Sequence, residues 1–238
     1  MTVAKKIFEN TKNLGSFLLD FFFPPLCPGC GAEGEVICDD CLKKISHKKS
    51  QVCPVCKNKS KHGATCAKCQ TKTSLSGLLV AADYSQNLVI EKGIEQFKYR
   101  FSKRISPYLG DILASNIEKN IEKNKDFLLT FVPLHCKREK WRGFNQSEDL
   151  ARLVSQKNKF PLENLLQRTK ETLPQATLSR EERITNTKDA FCALRKGNGE
   201  NVLIIDDVAS TLSTLENCAK ELKKNGFEEV WGAVLARN

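Results

Sequence analysis

Two glycine-rich signatures of nucleotide-binding folds are missing from this 238-residue sequence. It has no GxxxxGK[ST] loop, which excludes a P-loop NTPase, and no GxGxxG after a strand, which excludes a Rossmann dinucleotide domain. Long apolar runs are missing as well. Residues 14–23 are hydrophobic, but Asp20 interrupts them, they are too short to span a bilayer, and no small-residue cleavage site follows. The sequence therefore predicts neither a transmembrane helix nor a secretion signal, and the expected location is cytoplasmic.

Residues 1–26 are predicted to form an N-terminal amphipathic helix. Phe17, Leu18, Phe21 and Phe22 recur at the spacing of one helical face. Packing of this face against the rest of the protein is the favoured interpretation. The alternative is that the helix lies on the inner face of the cytoplasmic membrane without spanning it.

Arginine is absent from residues 1–75, which hold twelve lysines and six acidic residues. The remainder holds sixteen lysines, twenty-two acidic residues and all ten arginines, and the whole chain has a net charge of +10. The planar guanidinium fork suits phosphate groups. We therefore expect the second part of the chain to bind an anionic ligand.

Cysteine is abundant, and eight of the eleven cysteines form four CxxC pairs. A CxxC turn directs two thiolates at one metal ion, and two such turns complete a tetrahedron. Uniform CxxC spacing in an intracellular chain argues against the alternative, a disulfide framework. We expect a double zinc ribbon over residues 27–72, with two structural Zn²⁺ sites. Ligation by consecutive pairs is favoured, and crossed ligation stays open. The expected ligands are Cys27, Cys30, Cys38, Cys41, Cys53, Cys56, Cys66 and Cys69.

Lysines between these cysteine pairs form a basic segment that could contact nucleic acid. No aromatic residue lies among them to stack on bases, so a solvated surface is the simpler interpretation. These lysines are Lys43, Lys44, Lys48, Lys49, Lys57, Lys59 and Lys61.

A second domain is predicted over residues 75–238, where strand and helix patterns alternate as in a parallel α/β sheet flanked by helices. Two polar stretches interrupt this pattern: a loop following the second strand, at residues 135–146, and a mobile loop over the site at residues 168–186. The predicted strands cover residues 78–84, 127–132, 202–205 and 229–236, and the predicted helices cover residues 88–97, 105–121 and 147–156.

The stretch VLIIDDVASTLST, residues 202–214, combines a buried strand, two acids and a hydroxyl-rich turn. Asp206 and Asp207 are expected at the C-terminal edge of the sheet, where open α/β folds bind ligands. The turn leads into an apolar helical pattern, and a helix N-terminus suits a phosphate group. The carboxylates could hold ribose hydroxyls or a metal carried by a diphosphate. The stretch predicts a sugar-phosphate site, although many α/β proteins carry such a pattern without binding a ligand there.

This stretch resembles the signature of type I phosphoribosyltransferases, in which two acids after a hydrophobic strand precede a loop close to TTGAT. The resemblance implies that Asp206 and Asp207 hold the ribose of 5-phosphoribosyl 1-diphosphate, together with Mg²⁺. It also implies that the loop wraps the 5-phosphate through Ser210, Thr211, Ser213 and Thr214. Leu212 stands where that family has glycine, which permits close backbone approach and a left-handed φ. This difference favours ligand binding without turnover.

The order of the motifs across the chain resembles the ComF family of natural competence. These motifs are FPPLCPGC, CPVC, FKYR, PLHCKREKWRGFNQ, PQATLSREERITN, VLIIDDVASTLST and VWGAVLAR. The resemblance implies a zinc ribbon fused to a type I phosphoribosyltransferase-like domain. It also implies the handling of incoming single-stranded DNA on the cytoplasmic side of the uptake channel, with competence helicase and channel proteins as partners.

The same resemblance implies three further groups of anion-binding residues. A diphosphate-side loop comprises His135, Arg138, Arg142, Gly143, Asn145 and Gln146. A flexible loop supplies Gln175, Arg180, Arg183 and Asn186, and Lys98 in FKYR adds another contact. Arginines and amide donors of this kind can stabilise a departing pyrophosphate.

Two functions follow from these expectations. The first is a competence protein that binds 5-phosphoribosyl 1-diphosphate and handles single-stranded DNA. The second is an active phosphoribosyltransferase, which transfers phosphoribose to a nucleobase or another acceptor and releases pyrophosphate. No sequence feature identifies the acceptor.

Overall fold

The computed structural model describes residues 24–48, 50–84, 87–98, 104–122, 125–170 and 190–237. Residues 1–23 of the predicted N-terminal helix and the flexible-loop residues Gln175, Arg180, Arg183 and Asn186 lie outside these ranges, and residues 24–26, which were predicted to end that helix, are described and are not helical. In the part of the chain that is described, no helix is both long and apolar enough to cross a membrane.

A four-stranded parallel sheet in the order β1-β6-β5-β2 forms the centre of the fold. Its strands are β1 (Gly77–Asp83), β2 (Leu128–Phe131), β5 (Val202–Ala209) and β6 (Val230–Arg237). A short antiparallel hairpin pairs β3 (Leu166–Arg168) with β4 (Phe191–Ala193). The helices are α1 (Asp39–Lys43), α2 (Leu88–Phe97), α3 (Ser106–Asn120), α4 (Cys136–Arg142), α5 (Gln146–Asn158) and α6 (Ser213–Lys224), and 3₁₀ turns occur at Lys61–Gly63 and Gln70–Lys72.

Helices cover both faces of the sheet, because the buried strands present apolar side chains alternately to each face. Leu203 and Ile205 of β5 point into a cluster with α2, α3 and α5. Val202 and Ile204 point into a second cluster with α6. The predicted parallel sheet flanked by helices is therefore confirmed.

Three local predictions need correction. Strand β5 does not end at Ile205 but continues to Ala209, and Asp206 pairs in register with Val234 of β6. The supposed polar loop at residues 135–146 contains helix α4, closed at its C-terminus by Gly143 in the left-handed conformation (φ 79°). Arg168, assigned to a loop, lies in strand β3. Strands of three residues are too short to show a period-2 pattern.

The cysteine-rich segment lies along the free edge of β1. The Gln51 side chain is buried there and bonds to the backbone of β1, as a neighbouring strand would. Its Nε2 donates to the Val80 carbonyl (3.1 Å), and its Oε1 accepts from the Val80 N–H (3.0 Å). The Lys48 N–H donates to the Ala81 carbonyl, and the Thr65 N–H donates to the Ser76 carbonyl. These bonds satisfy backbone groups that an edge strand would otherwise expose. The domain boundaries at residues 27–72 and 75–238 stay predictions.

Candidate functional site

The eight CxxC cysteines form two compact clusters. In each cluster the four sulfur atoms lie within 4.8 Å of one another. The separation is 3.7 Å between the sulfurs of Cys27 and Cys38, and 3.6 Å between those of Cys30 and Cys38. In the second cluster, 3.8 Å separates the sulfurs of Cys56 and Cys66. A tetrahedral site with Zn–S bonds of about 2.3 Å has sulfur–sulfur separations of about 3.8 Å, so both clusters fit Zn²⁺.

Consecutive CxxC pairs share a cluster, which decides between the two ligation patterns left open by spacing. Cys27, Cys30, Cys38 and Cys41 form the first group, and Cys53, Cys56, Cys66 and Cys69 form the second. The favoured sequential pairing is confirmed. With all four positions of each tetrahedron taken by cysteine, a bound zinc ion would have a structural role and no open position for catalysis.

Backbone donors prepare one thiolate in each cluster. Burial opposes ionisation of Cys27, but the N–H groups of Cys38, Cys30 and Gly29 outweigh it and lower the pKa of Cys27 to about 6. Burial and the neighbouring thiols raise the pKa of Cys41 to about 12. Cys53, lowered to a pKa of about 6, and Cys69, raised to about 12, repeat this arrangement. Binding of Zn²⁺ would therefore release protons from the high-pKa thiols.

A second candidate site lies towards the C-terminal end of β5. Asp206 accepts a hydrogen bond from the Ser147 hydroxyl (2.7 Å) and another from the Asp207 N–H (2.9 Å). Asp207 in turn accepts from the Val208 N–H (2.7 Å). Adjacent residues of a strand face opposite sides, so the two carboxylates diverge. Only Asp206 reaches the first turn of α5.

Asp206 is held in a protonation equilibrium close to neutral pH. Burial and the charge of Asp207 raise its pKa to about 7, although the Ser147 hydroxyl, the Asp207 N–H and the charge of Lys98 act in the opposite direction. Perturbed carboxylates of this kind cluster at functional sites. The role of Lys98 as an anion contact stays a prediction.

The hydroxyl-rich turn connects β5 to α6 as predicted. The hydroxyls of Thr211 and Ser213 lie 2.8 Å apart, and α6 begins at Ser213. Leu212 has φ −73° and ψ −1°, an ordinary right-handed conformation, and its side chain packs against the apolar cluster beneath α6. The position therefore needs no left-handed residue, and the leucine side chain is turned towards the core. Ser210 is part-buried, and Thr214 is buried.

Several residues predicted on the diphosphate side have local structural roles. His135 caps α4 by accepting from the Lys137 N–H (3.4 Å). Asn145 caps α5, accepting from the Ser147 N–H and donating to the Val132 carbonyl. Arg142 donates to the buried amide oxygen of Gln146 (3.0 Å). These contacts stabilise the N-termini of two successive helices, α4 and α5, and the N-terminus of α5 lies beside Asp206.

Two residues of this region were missed by sequence reasoning. Ser147, which binds Asp206, directly follows the motif PLHCKREKWRGFNQ and could have been found as its continuation. Arg168 is buried, with its guanidinium 5.4 Å from the centre of the Phe191 ring. Burial and the charge of Arg138 lower the pKa of Arg168, whereas the charge of Asp206 raises it. A strand of three residues is too short to show from its sequence that the arginine in it is buried.

A cavity of about 320 Å³ lies beside this region, beyond the edge of β2. Its wall includes Phe131, Leu134, Leu162 and Leu166, and Arg168 borders it. Cys136 and Glu139 of α4 also contribute to its lining. Neither Asp206 nor Asp207 borders this cavity, so it is separate from the carboxylate pair.

Comparison with known proteins relates the chain to competence proteins. The double zinc ribbon domain family matches residues 18–70. Competence protein F of Haemophilus influenzae is 39% identical over 111 residues, covering 44% of this chain and 48% of that protein. Competence protein ComFC of Bacillus subtilis is 26% identical over 197 residues, covering 81% and 80%. DNA utilization protein YhgH of Escherichia coli K12 is 36% identical over 103 residues, covering 42% and 45%. The chain thus matches about half the length of the Haemophilus and Escherichia relatives.

Solved structures with a similar fold include phosphoribosyltransferases. A purine phosphoribosyltransferase from Pyrococcus horikoshii has a TM-score of 0.33 at 16% identity, covering 56% of this chain and 82% of that one. An allosteric regulatory enzyme of purine biosynthesis has a TM-score of 0.36 at 18% identity, covering 54% and 25%. These scores are too low for the substrates of those enzymes to bear on this protein. The match to ComFC runs through four-fifths of both chains at 26% identity, and the double zinc ribbon family matches at the N-terminal side, so the chain is similar to competence proteins of the ComF type.

Proposed function

We propose that this protein is a ComF-type competence protein that binds 5-phosphoribosyl 1-diphosphate with Mg²⁺ and handles incoming single-stranded DNA in natural transformation. The names of three relatives, two competence proteins and a DNA utilization protein, support the DNA part of this proposal. Competence helicase and uptake-channel proteins are the partners expected for such a role.

The observation that carries the ligand part is that Asp206, near the C-terminal end of β5, is bonded to the first turn of α5 and precedes the turn into α6. Ser147 of α5 binds its carboxylate, and α6 begins four residues after β5 ends at Ala209. Helix N-termini attract phosphate groups, and carboxylates bind ribose hydroxyls or Mg²⁺. A sugar carrying both a phosphate and a diphosphate supplies all of these groups in one molecule. The side chain of Leu212 packs against the apolar cluster beneath α6.

A second candidate function, phosphoribosyl transfer, is favoured by the protonation of Asp206. A carboxylate with a pKa of about 7 can accept a proton at neutral pH. In this reaction, a bond forms between ribose C1 and an acceptor nitrogen, the C1–O bond to pyrophosphate breaks, and Asp206 takes the acceptor's proton. The acceptor would be a nucleobase or another nitrogen nucleophile.

Calorimetric titration of 5-phosphoribosyl 1-diphosphate into the zinc-loaded protein, with and without Mg²⁺, tests the ligand. We expect Mg²⁺-dependent binding, and a loss of at least ~10-fold in affinity when Asp206→Asn and Asp207→Asn are combined, because the double variant removes both negative charges proposed to hold the ribose hydroxyls or the metal. Asp126→Asn is the matched control, since Asp126 is exposed and precedes β2 at the opposite edge of the sheet. Unchanged binding by the double variant would refute the site.

Pyrophosphate release separates the two functions. The protein at micromolar concentration is mixed with 5-phosphoribosyl 1-diphosphate, Mg²⁺ and each of the common nucleobases in turn. Release that depends on one base and disappears in Asp206→Asn would establish the transferase. Tight binding without release for any base would support the binding protein.

A further inference from the structure

Trp141 in helix α4 is exposed to an unusual degree for an indole. It is 73% exposed, whereas the other tryptophan, Trp231, is 8% exposed and donates its Nε1–H to Glu229. Among the described residues, no large apolar side chain is more exposed than Trp141. A folded protein gains nothing in core stability from an aromatic ring in this position, so the exposure of Trp141 indicates a binding role.

Helix geometry surrounds this indole with positive charge. Successive residues of an α-helix are about 100° apart, so Lys137 lies about 40° from Trp141 around the axis, and Arg138 about 60°. Lys140 lies about 100° away, on the same side of Trp141 as Lys137 and on the opposite side from Arg138. We define the Trp141 face of α4 as Lys137, Arg138, Lys140 and Trp141.

The acidic residue of the helix is directed elsewhere. Glu139 is about 160° from Trp141 around the helix axis, and Cys136 about 140°. Both residues border the cavity of about 320 Å³ beyond β2, which confirms that they lie on the opposite side of the helix. The Trp141 face therefore combines one exposed aromatic ring with three cations and no carboxylate.

We propose that the Trp141 face is the place where this protein binds single-stranded nucleic acid, with an unpaired base stacked on the indole and the flanking phosphates held by Lys137, Arg138 and Lys140. Binding of single strands without sequence preference combines these two components, a positive surface and an aromatic stacking platform. The proposal rests on the proposed DNA-handling function and assigns that function a site. In this proposal the main contact with the nucleic acid is the Trp141 face and not the lysines of the zinc ribbon, among which no aromatic residue lies.

The chemistry of the face favours this ligand over a membrane surface. A helix that lies on a bilayer needs a continuous apolar face, and here the residues around the indole are all charged. A single base has the size and the flat π-face to cover one indole, and the phosphates beside it are complementary to the cations.

The face also lies close to the candidate sugar-phosphate site. The charge of Arg138 acts on the buried guanidinium of Arg168, and Arg168 and Asp206 interact in turn. A strand held on the Trp141 face would thus pass the C-terminal edge of the sheet rather than the zinc ribbon at the edge of β1.

Trp141 fluorescence provides the test, because the second tryptophan is buried. An oligothymidylate of about 12 nucleotides, within the known range of single-strand site sizes, is titrated into the zinc-loaded full chain. We expect quenching by this strand, and much weaker quenching by an abasic strand of equal length, which keeps the phosphates but has no bases. A blunt duplex of the same length should quench little, since its bases are already stacked. In the Trp141→Phe variant, only the buried Trp231 reports, and its signal should not change.

The effect of each variant on the affinity for single-stranded DNA is measured by fluorescence anisotropy of a labelled strand. Trp141→Ala should weaken binding roughly 5- to 100-fold, as expected for the loss of one stacked base, and Trp141→Phe should remain within about 3-fold. Lys140→Ala should lower the slope of log affinity against log salt by about 0.7, the value for one phosphate contact in a single strand. Leu88→Ala and Lys220→Ala are matched controls, because both residues are exposed on other helices, and neither should change the affinity or the slope.

The outcomes separate the inference from the function beneath it. If the wild-type protein binds no single strand, the DNA-handling function itself is wrong. If it binds, but Trp141→Ala has wild-type affinity, the function stands and the Trp141 face is not its site. Quenching of Trp141 by vesicles of anionic and neutral phospholipid, but not by the strand, would replace the nucleic acid with a membrane and overturn the inference.

Discussion

Asp206 places a carboxyl group where burial and a neighbouring negative charge both oppose its ionisation. These two causes raise its pKa from an ordinary value of 3.8 to about 7. In the unfolded chain the group loses its proton near pH 4, whereas in the folded protein it keeps the proton to about pH 7. The free energy of unfolding therefore loses a contribution as pH rises from about 4 to about 7, and is level above that.

The Asp206→Asn variant should remove this penalty. An amide oxygen can still accept from Ser147 and from the Asp207 N–H, so the hydrogen bonds are retained. We expect the variant to be more stable than the wild type by about 1–3 kcal/mol at pH 8, less than the shift itself implies because the side chain is only part-buried, and equally stable at pH 4. Urea unfolding at several pH values measures this difference. A variant that is less stable at pH 8 would contradict the claim that the ionised Asp206 carboxylate destabilises the folded protein.

Leu212 offers a second test at the residue scale. Its backbone is right-handed and its side chain packs on the cluster beneath α6, so glycine would remove apolar contacts without relieving strain. Leu212→Gly should lower the free energy of unfolding by about 1–2 kcal/mol and change the affinity for 5-phosphoribosyl 1-diphosphate less than about 3-fold. Calorimetry and urea unfolding provide the two values. Tightening by 10-fold or more would show that the leucine side chain obstructs the phosphate.

At the scale of elements, the zinc ribbon and the sheet meet along the edge of β1. Gln51 is buried and exchanges two hydrogen bonds with the backbone of Val80. The Ser74 N–H, which follows the second cysteine cluster, donates to Glu216 in the first turn of α6 (2.7 Å). The ribbon thus contacts both the sheet and α6, the helix that follows the hydroxyl-rich turn.

Replacement of Gln51 by alanine should expose how much this edge cover contributes. Two buried backbone groups of Val80 would lose their partners, and each unsatisfied group costs about 1–3 kcal/mol. We expect Gln51→Ala to destabilise the protein by about 2–4 kcal/mol in urea unfolding. Gln156→Ala, at an exposed position of α5, is the matched control and should change stability by less than about 0.5 kcal/mol. A loss as small as that of the control would mean that the edge is not stabilised by Gln51.

At the scale of the whole molecule, the first cysteine cluster shares an apolar core with the central sheet. Cys27 and Cys41 belong to the same apolar cluster as Val89 and Ile90 of α2. A ribbon of this size has little core of its own, so bound metal would supply much of its folding energy. Because the ribbon packs against the sheet domain, loss of the metal would also destabilise that domain.

Removal of zinc with a strong chelator should therefore lower the melting temperature of the entire chain by at least ~10 °C, in one transition. Differential scanning calorimetry distinguishes this outcome from two separate transitions, which would indicate independent domains. Cys30→Ser should lower the zinc content from two ions per chain to one, measured by elemental analysis. Cys136→Ser is the matched control, because Cys136 is also exposed but lies outside both clusters, and it should retain two.

The sequence alone was enough to group the eight cysteines into two candidate zinc sites and to give the type of fold, because both depend on local patterns. A CxxC turn brings its two sulfurs together by its own geometry, and an unbroken apolar run such as residues 202–205 is buried wherever parallel strands meet. The acidic pair and the hydroxyl turn could be recognised for the same reason. The part of the site predicted from sequence is the part that is contiguous in the chain.

Tertiary structure decided what depends on residues far apart in sequence. Pairing with β6 carries β5 past Ile205 to Ala209, and burial among α5, β3 and β5 changes the ionisation of Asp206 and Arg168. The choice of sequential over crossed cysteine ligation, the cover of the β1 edge by Gln51 and the exposure of Trp141 also required the folded chain. Each of these properties is set by which neighbours a side chain meets, and no local pattern contains that information.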